Sequence, residues 1–145
     1  MALENKLNSL NIVLPGVPIA KQRPRFSRFG TYDKQKDVKE LYRLSLLPQL
    51  PSGFRLIETP ISLHIIFEMP IPKSTSKKKQ AQLIGSPHLK KPDLDNLYKM
   101  FDAYNGVLWS DDSLIYKIQM EKRYSETPQT LLNIEYEEDT RGKMD

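Results

Sequence analysis

The feature that most constrains the fold is the segment ISLHIIFEM at residues 61–69, in which apolar and polar side chains alternate. Residues two apart point to the same side of a strand, so this alternation predicts a β-strand with one buried face. The predicted buried side chains are Ile61, Leu63, Ile65, Phe67 and Met69. Such a strand needs neighbouring strands and a covering layer. The segment therefore predicts a sheet with one face packed against other elements.

Three further strands are predicted on the same grounds. One strand covers residues 10–14, a mostly apolar segment that ends at Pro15, and residues 132–136 alternate. The third strand covers residues 114–121 and is expected to be half-buried. Its predicted inward side chains are Leu114, Tyr116, Ile118 and Met120.

Three helices are predicted between these strands. The first covers residues 33–47, with Asp33 as its N-cap, and its inward side chains at helical spacing are Val38, Leu41, Tyr42 and Ser45. A short second helix begins after Ser76 and ends before Gly85. In the third, helical spacing joins Leu97, Phe101 and Tyr104, and Asn105-Gly106 ends it.

This order of strands and helices predicts an α+β protein: a single-domain mixed β-sheet with helices packed on one face. A chain of 145 residues, 39% of them hydrophobic, fits one core. We expect the domain to span residues 10–137, between loose tails at 1–9 and 138–145.

The composition excludes several classes of site. The chain has no cysteine, so it has neither disulfides nor thiolate metal sites. No run approaches the roughly 20 apolar residues that a membrane span needs, and the N-terminal segment lacks the apolar stretch of a signal peptide. We therefore expect a cytoplasmic protein with no membrane partner.

The positive charge is clustered. The formal net charge is +4, and residues 21–43 and 73–91 together hold 14 of the 22 lysines and arginines. One cluster alone would be typical of a solvated face, but two clusters beside an acidic motif favour a polyanion such as DNA. The candidate DNA-binding residues are Lys21, Arg23, Arg25, Lys77, Lys78, Lys79, Lys90 and Lys91.

The acidic motif is KPDLDNLYK, at residues 91–99, where a loop turns into a helix. Extended backbone would direct Asp93 and Asp95 to one side, and the later pair Asp111-Asp112 could fold back beside them. Carboxylate oxygens suit Mg²⁺ or Mn²⁺, which share their coordination with substrate phosphate. Lys99, one helical turn beyond Asp95, could contact a phosphate oxygen.

A purely structural interpretation competes with this one. Asp95 could be an N-cap, Asp111-Asp112 an ordinary turn, and Lys99 the partner of Asp95 in a surface ion pair worth about 0.3–0.5 kcal/mol. The combination of both acidic pairs with the lysine favours a metal site over these separate explanations.

The segment KPDLDNLYKMFDAYNGVLWSDDSLI resembles the signature of the RusA family of Holliday junction resolvases, which are common in bacterial phages and prophages. The resemblance extends upstream to MPIPKSTSKKK and VPIAKQRPRF, from about residue 13 to residue 124. It implies an α/β fold, a homodimer, Mg²⁺ dependence and action on four-way DNA junctions in recombination and repair. The matching positions imply that Asp93, Asp95 and Asp112 hold the metal, with Asp111 a further candidate, and that Lys99 is catalytic with them.

The chemistry implied by the resemblance is hydrolysis of a DNA phosphodiester by a metal-activated water, with Lys99 stabilising charge near the phosphate. Junction selectivity would come from shape, and a two-fold dimer would match the symmetry of the junction. His64 and His88 are expected to be surface or DNA-contacting residues.

Three alternatives remain at this point. The first is a metal-dependent nuclease of flaps or forks with little junction preference. The second is a non-catalytic DNA-binding module whose aspartates are structural. A D-x-D nucleotide-sugar transferase is disfavoured, because the chain is short and has no evident nucleotide-binding unit.

Overall fold

The computed structural model describes residues 6–21 and 36–139, together with the backbone of two short strands at 25–27 and 30–32. The strands are β1 (Leu7–Pro15), β2 (Arg25–Ser27), β3 (Gly30–Tyr32), β4 (Ile61–Pro70), β5 (Ile115–Ser125) and β6 (Gln129–Glu137). The α-helices are α1 (Lys36–Leu46), α2 (Lys77–Leu83) and α3 (Leu94–Tyr98). Short 3₁₀ helices lie at Leu47–Gln49, Lys99–Tyr104 and Asp112–Leu114.

The central sheet has the strand order β1-β6-β4-β5. The β1–β6 and β4–β6 pairs are antiparallel, whereas β4 and β5 are parallel. A parallel pair needs a crossover connection, and here the crossover carries α2 and α3. The predicted α+β class with a mixed sheet is confirmed. The separate β2–β3 hairpin was not predicted.

The core lies on the face of the sheet that β4 presents to the helices. All five side chains predicted to be buried on β4 are at most 3% exposed. They pack with the inward residues of β1 and β6 and with Leu97, Phe101 and Tyr104, as the helical spacing predicted. The third helix is, however, not one continuous α-helix, since α3 tightens after Tyr98 into the 3₁₀ helix Lys99–Tyr104.

The ends of the second and third helices are close to those predicted. The Ser76 side chain accepts a hydrogen bond from the backbone N–H of Lys79 (3.3 Å) and so caps α2. Gly85 and Gly106 follow α2 and the Lys99–Tyr104 helix with φ of +81° and +80°, the left-handed region that favours glycine.

Four details of the sequence-based prediction need correction or remain open. Strand β1 begins at Leu7 rather than residue 10, because three residues assigned to the tail pair with β6. Leu41 is 64% exposed, since α1 turns Val38, Tyr42 and Leu46 inward instead. Tyr116 is exposed because the register of β5 against β4 shifts at this residue, and Ile118 is exposed because β5 is an edge strand. The predicted N-cap at residue 33 lies outside the described residues.

No helix among the described residues is long and apolar enough to cross a membrane.

Candidate active site

A cavity of about 230 Å³ opens beside the junction of α3 and the 3₁₀ helix that follows it. Its walls combine three charged or catalytic candidates from the sequence with residues that the sequence did not single out. The lining residues are Lys21, Tyr98, Lys99, Phe101, Asp102 and Asp112. The structure therefore brings Asp112 beside Tyr98 and Lys99, whereas Asp93 and Asp95 do not line this cavity. Two lysines face the same cavity as the carboxylate of Asp112.

The carboxylate of Asp112 is hydrogen-bonded to the buried indole of Trp109. Trp109 has no exposed surface, and its Nε1–H donates a hydrogen bond to Oδ1 of Asp112 over 2.8 Å. The neighbouring Asp111 has a different task, because its side chain accepts a bond from the backbone N–H of Ser113 (3.4 Å) at the start of the 3₁₀ helix. Of the two acids, Asp112 is the one directed to the cavity.

Asp93 and Asp95 lie at the start of α3, and because the helix begins between them at Leu94, the expectation that extended backbone directs both carboxylates to one side is wrong. Asp93 occupies the N-cap position with extended backbone, but its side chain makes no capping hydrogen bond. The alternative in which Asp95 is the N-cap is wrong, because α3 begins at Leu94 and Asp95 lies within its first turn. A carboxylate in the first turn is favourable for the helix dipole. Both aspartates are exposed.

Lys99 joins the two parts of the site. Its Nζ lies 3.9 Å from Oδ2 of Asp95, four residues earlier on the same helix face, and 3.5 Å from Oδ1 of Asn96. The exposed fractions are 58% for Lys99 and 72% for Asp95. An ion pair this exposed contributes little to stability. The ammonium of Lys99 is therefore only loosely held and remains accessible at the cavity.

Lys21 reaches the cavity from a different part of the chain. Its backbone N–H donates to the carbonyl of Asn96 (3.0 Å), which lays the segment after β1 against α3. Its Nζ pairs with Oδ2 of Asp102, and Lys39 Nζ lies 3.7 Å from the same oxygen. Lys21 is thus held at a defined place inside the site.

Tyr98 adds a neutral hydrogen-bonding group. Burial raises the pKa of its phenol, and the negative charge of Asp112 raises it further. Both effects keep the hydroxyl protonated at neutral pH, so it remains a donor at the cavity wall.

The carboxylates can be compared with what a divalent cation needs. Among the described residues, no three acidic or histidine side chains are grouped closely enough to enclose a metal ion. Mg²⁺ does not require an enclosed protein cage, since one or two carboxylates, several waters and substrate phosphate complete its shell. Asp93, Asp95 and Asp112 offer hard oxygens that are exposed to solvent. The donor chemistry fits Mg²⁺ on this ground.

The other predicted DNA-binding residues that the structure describes do not line the cavity. Lys77, Lys78 and Lys79 form the exposed first turn of α2, where the helix dipole disfavours positive charge. Lys90 and Lys91 are exposed just before Asp93. Arg23 and the side chain of Arg25 lie outside the described part of the chain.

The two histidines differ from each other. His64 is partly exposed, with Nε2 3.3 Å from Oε1 of Glu121. His88, expected at the surface, is only 8% exposed, because it packs edge-on against Tyr124 with ring centres 4.9 Å apart. Neither histidine lines the cavity.

Sequence reasoning missed Tyr98, Asp102 and Trp109. A signal for Asp102 was present, because it follows Asp95 and Lys99 at helical spacing of seven and three residues. The bond from Trp109 to Asp112 has no comparable signal, since an apolar run predicts burial but not the direction of an indole N–H.

Comparison with known proteins agrees with this geometry. The family model described as "Endodeoxyribonuclease RusA" matches residues 15–135. The chain is also 30% identical over 131 residues to "Uncharacterized protein YqaN" of Bacillus subtilis (strain 168), an alignment that covers 84% of this chain and 92% of that protein. The matched range contains α3, the cavity and both acidic pairs. The chain belongs to the RusA endodeoxyribonuclease family.

Proposed function

We propose that the protein is a Mg²⁺-dependent endonuclease that resolves four-way (Holliday) DNA junctions in recombination and repair. The observation that carries this proposal is the cavity that joins Lys21, Lys99 and Asp112. Asp95 is linked to this cavity through Lys99 (3.9 Å), and Asp93 lies at the start of the same short helix. Membership of an endodeoxyribonuclease family supports the reaction class.

Asp93, Asp95 and Asp112 are the residues that would hold Mg²⁺, with Mn²⁺ able to replace it. The bound cation would polarise the scissile phosphate and lower the pKa of an attacking water. Asp111 stays a further candidate outside this proposed set, because it does not line the cavity and one of its oxygens accepts a hydrogen bond from the backbone N–H of Ser113.

The protein's own groups position and stabilise the phosphate. Lys99 and Lys21 place two ammonium groups at the cavity, where they offset the charge that builds up as the phosphodiester is attacked. The Tyr98 hydroxyl, protonated for the reasons given above, donates to a phosphate oxygen. Trp109 keeps one oxygen of Asp112 engaged and thereby limits the orientations of that carboxylate.

The exposed lysines would guide the DNA to the cavity. Phosphate contacts by the α2 lysines and by Lys90 and Lys91 supply affinity that falls with salt and carries no sequence information. Arg23 and Arg25 belong to the same proposed set. Discrimination of a junction from duplex DNA would then rest on the shape and flexibility of the branch point.

We further propose a homodimer as the active form. A four-way junction has approximate two-fold symmetry, and resolution requires a nick in each of two opposed strands. A dimer with two-fold symmetry places one cavity at each strand. This proposal rests on the symmetry of the substrate and on the family.

The test is a cleavage assay with three substrates of matched sequence: a four-way junction, a flap and a linear duplex, each with and without Mg²⁺. We expect paired nicks in the junction, only with Mg²⁺, at a rate well above that for the other substrates. Equal cutting of all three substrates would contradict the proposed resolvase function and favour a nuclease of low selectivity. Binding without cutting in any metal would favour the non-catalytic DNA-binding module.

A further inference from the structure

Lys122 makes two hydrogen bonds directly beside the proposed metal site, although it does not line the cavity. From β5, its Nζ donates to the carbonyl of Lys90 over 2.7 Å and to the carbonyl of Pro92 over 2.7 Å. The Pro92 carbonyl belongs to the peptide unit that supplies the backbone nitrogen of Asp93. The ammonium of Lys122 is therefore one peptide away from a proposed metal ligand.

The segment before Asp93 is attached to β5 in two stages. The first stage uses backbone bonds, from Gly85 to Tyr124 (2.8 Å), from Tyr124 to Ser86 (3.0 Å) and from His88 to Lys122 (3.1 Å). In the described part of the chain, this backbone pairing stops at His88. The side chain of Lys122 then extends the attachment to Pro92.

The geometry argues against a role for Lys122 in DNA contact. Its register partner on β4 is Phe67, so its side chain rises on the inner face of the sheet. It is partly buried, and carbonyl oxygens occupy two of the three donors that an ammonium has. By contrast, Lys117 on the same strand is exposed and pairs in register with Ser62 on the outer face.

We infer that Lys122 is a positioning residue for Asp93: it fixes the backbone that precedes this aspartate and so sets the affinity of the site for its divalent cation. The inference rests on the proposed function, in which Asp93 is a metal ligand. Groups that orient a ligand in this way commonly change metal affinity by about 10- to 100-fold when they are removed.

A charge effect and a positioning effect of Lys122 predict opposite changes in cation affinity when this lysine is removed. If only its charge mattered, removing a positive group near carboxylates would make a cation bind more tightly. If it acts by holding the backbone, its loss leaves Asp93 less well placed and weakens cation binding. The direction of the change therefore separates the two roles.

The experiment uses Lys122→Met, which keeps most of the stem and removes the donors, with Lys117→Met as a control that removes the same charge. Mn²⁺ is the probe, and its dissociation constant is measured by electron paramagnetic resonance without DNA. The Mn²⁺ concentration for half-maximal junction cleavage is measured separately. We expect Lys122→Met to raise both values about tenfold, Lys117→Met to leave both unchanged, and Lys122→Arg to restore most of the affinity.

The outcomes distinguish the two proposals. Wild-type protein that neither binds Mn²⁺ nor cleaves would refute the proposed function itself. Wild-type protein that does both, with equal or tighter Mn²⁺ binding in Lys122→Met, would refute only the role of Lys122. If thermal unfolding shows that Lys122→Met does not fold, Lys122→Gln, whose shorter side chain keeps two N–H donors but not the charge, is read by the same criterion.

Discussion

At the scale of single residues, the bond between Trp109 and Asp112 links the core to the proposed metal site. Trp109 is fully buried, so its indole has almost no freedom to move, and the carboxylate that accepts its N–H shares that restriction. A surface aspartate without such a partner would sample several rotamers. The core of this protein thus sets the direction of a side chain at the cavity.

Trp109→Phe tests this link, because it keeps an aromatic ring and removes the N–H. We expect junction cleavage to fall about tenfold, the lower end of the range for groups that orient a metal ligand, while junction binding is retained. The control is Tyr104→Phe, another fully buried aromatic, whose hydroxyl has no hydrogen-bond partner among the described residues. That variant should keep wild-type cleavage and equal or higher stability. Equal cleavage rates in the two variants would refute the orienting role.

Asp102→Asn tests whether Lys21 must be held in place. Loss of this negative charge should leave DNA binding equal or tighter, because the cavity becomes more positive. The cleavage rate of bound junction should nevertheless fall several-fold, since Lys21 loses its ion-pair partner. Glu40→Gln, which removes the same charge from an exposed pair with Arg43 on α1, should change neither quantity. A rate that rises with affinity would contradict the positioning of Lys21.

At the scale of elements, the crossover between β4 and β5 builds the site. It carries α2, α3 and the 3₁₀ helix at Asp112, so every proposed metal ligand lies within one connection of the sheet. The sequence predicted α2 from its cap at Ser76 and its end before Gly85, and the third helix from the buried spacing of Leu97, Phe101 and Tyr104. It did not predict how residues 85–92 attach to β5, because carbonyl and ammonium partners such as Pro92 and Lys122 leave no period in a sequence.

The buried histidine makes this attachment sensitive to acid. Burial lowers the pKa of His88, and the charges of Lys122 and Lys90 lower it further. The unfolded chain, with an ordinary histidine pKa near 6.5, then binds a proton that the folded chain does not. The free energy of unfolding should therefore fall as pH drops below about 6.5 and level off once pH is below the folded pKa.

The free energy of unfolding, measured by urea titration between pH 8 and pH 5, checks this expectation. We expect His88→Phe to lose less stability over that range than the wild type, because it has no proton to take up and still packs against Tyr124. Parallel curves for the two proteins would contradict the linkage.

At the scale of the whole molecule, the sequence predicted much of the architecture but less of the candidate site. Period-two alternation in β4 predicted the buried face of the sheet, because a half-buried strand can hide only every second residue. The same pattern gave a wrong prediction for Ile118, since whether a strand lies at the edge of a sheet depends on its neighbours and not on its own residues. The convergence of Lys21 with Lys99 is a property of the fold that neither local sequence contains.

The distribution of lysines predicts that some of them affect junction binding without affecting the cleavage rate. Lys78→Ala removes an exposed charge on α2, outside the cavity lining, so it should weaken junction binding and reduce the slope of log affinity against log salt by about 1. The cleavage rate of bound junction should be unchanged. The matched control is Lys117→Ala on the outer face of the sheet, for which we expect no change in slope. Identical slopes in both variants would mean that Lys78 contacts no DNA phosphate and is only part of a solvated face.

The central claim is that Asp112 joins Asp93 at α3 to form one metal-dependent cleavage centre. It is tested most directly by the cleavage of a four-way junction in Mg²⁺ by Asp93→Asn and Asp112→Asn, with binding measured alongside. The control is Asp111→Asn, which removes the same charge from the residue that caps Ser113. We predict cleavage reduced to background in the first two variants with binding retained, and cleavage retained in the third. Cleavage at the wild-type rate by both Asp93→Asn and Asp112→Asn would contradict the account.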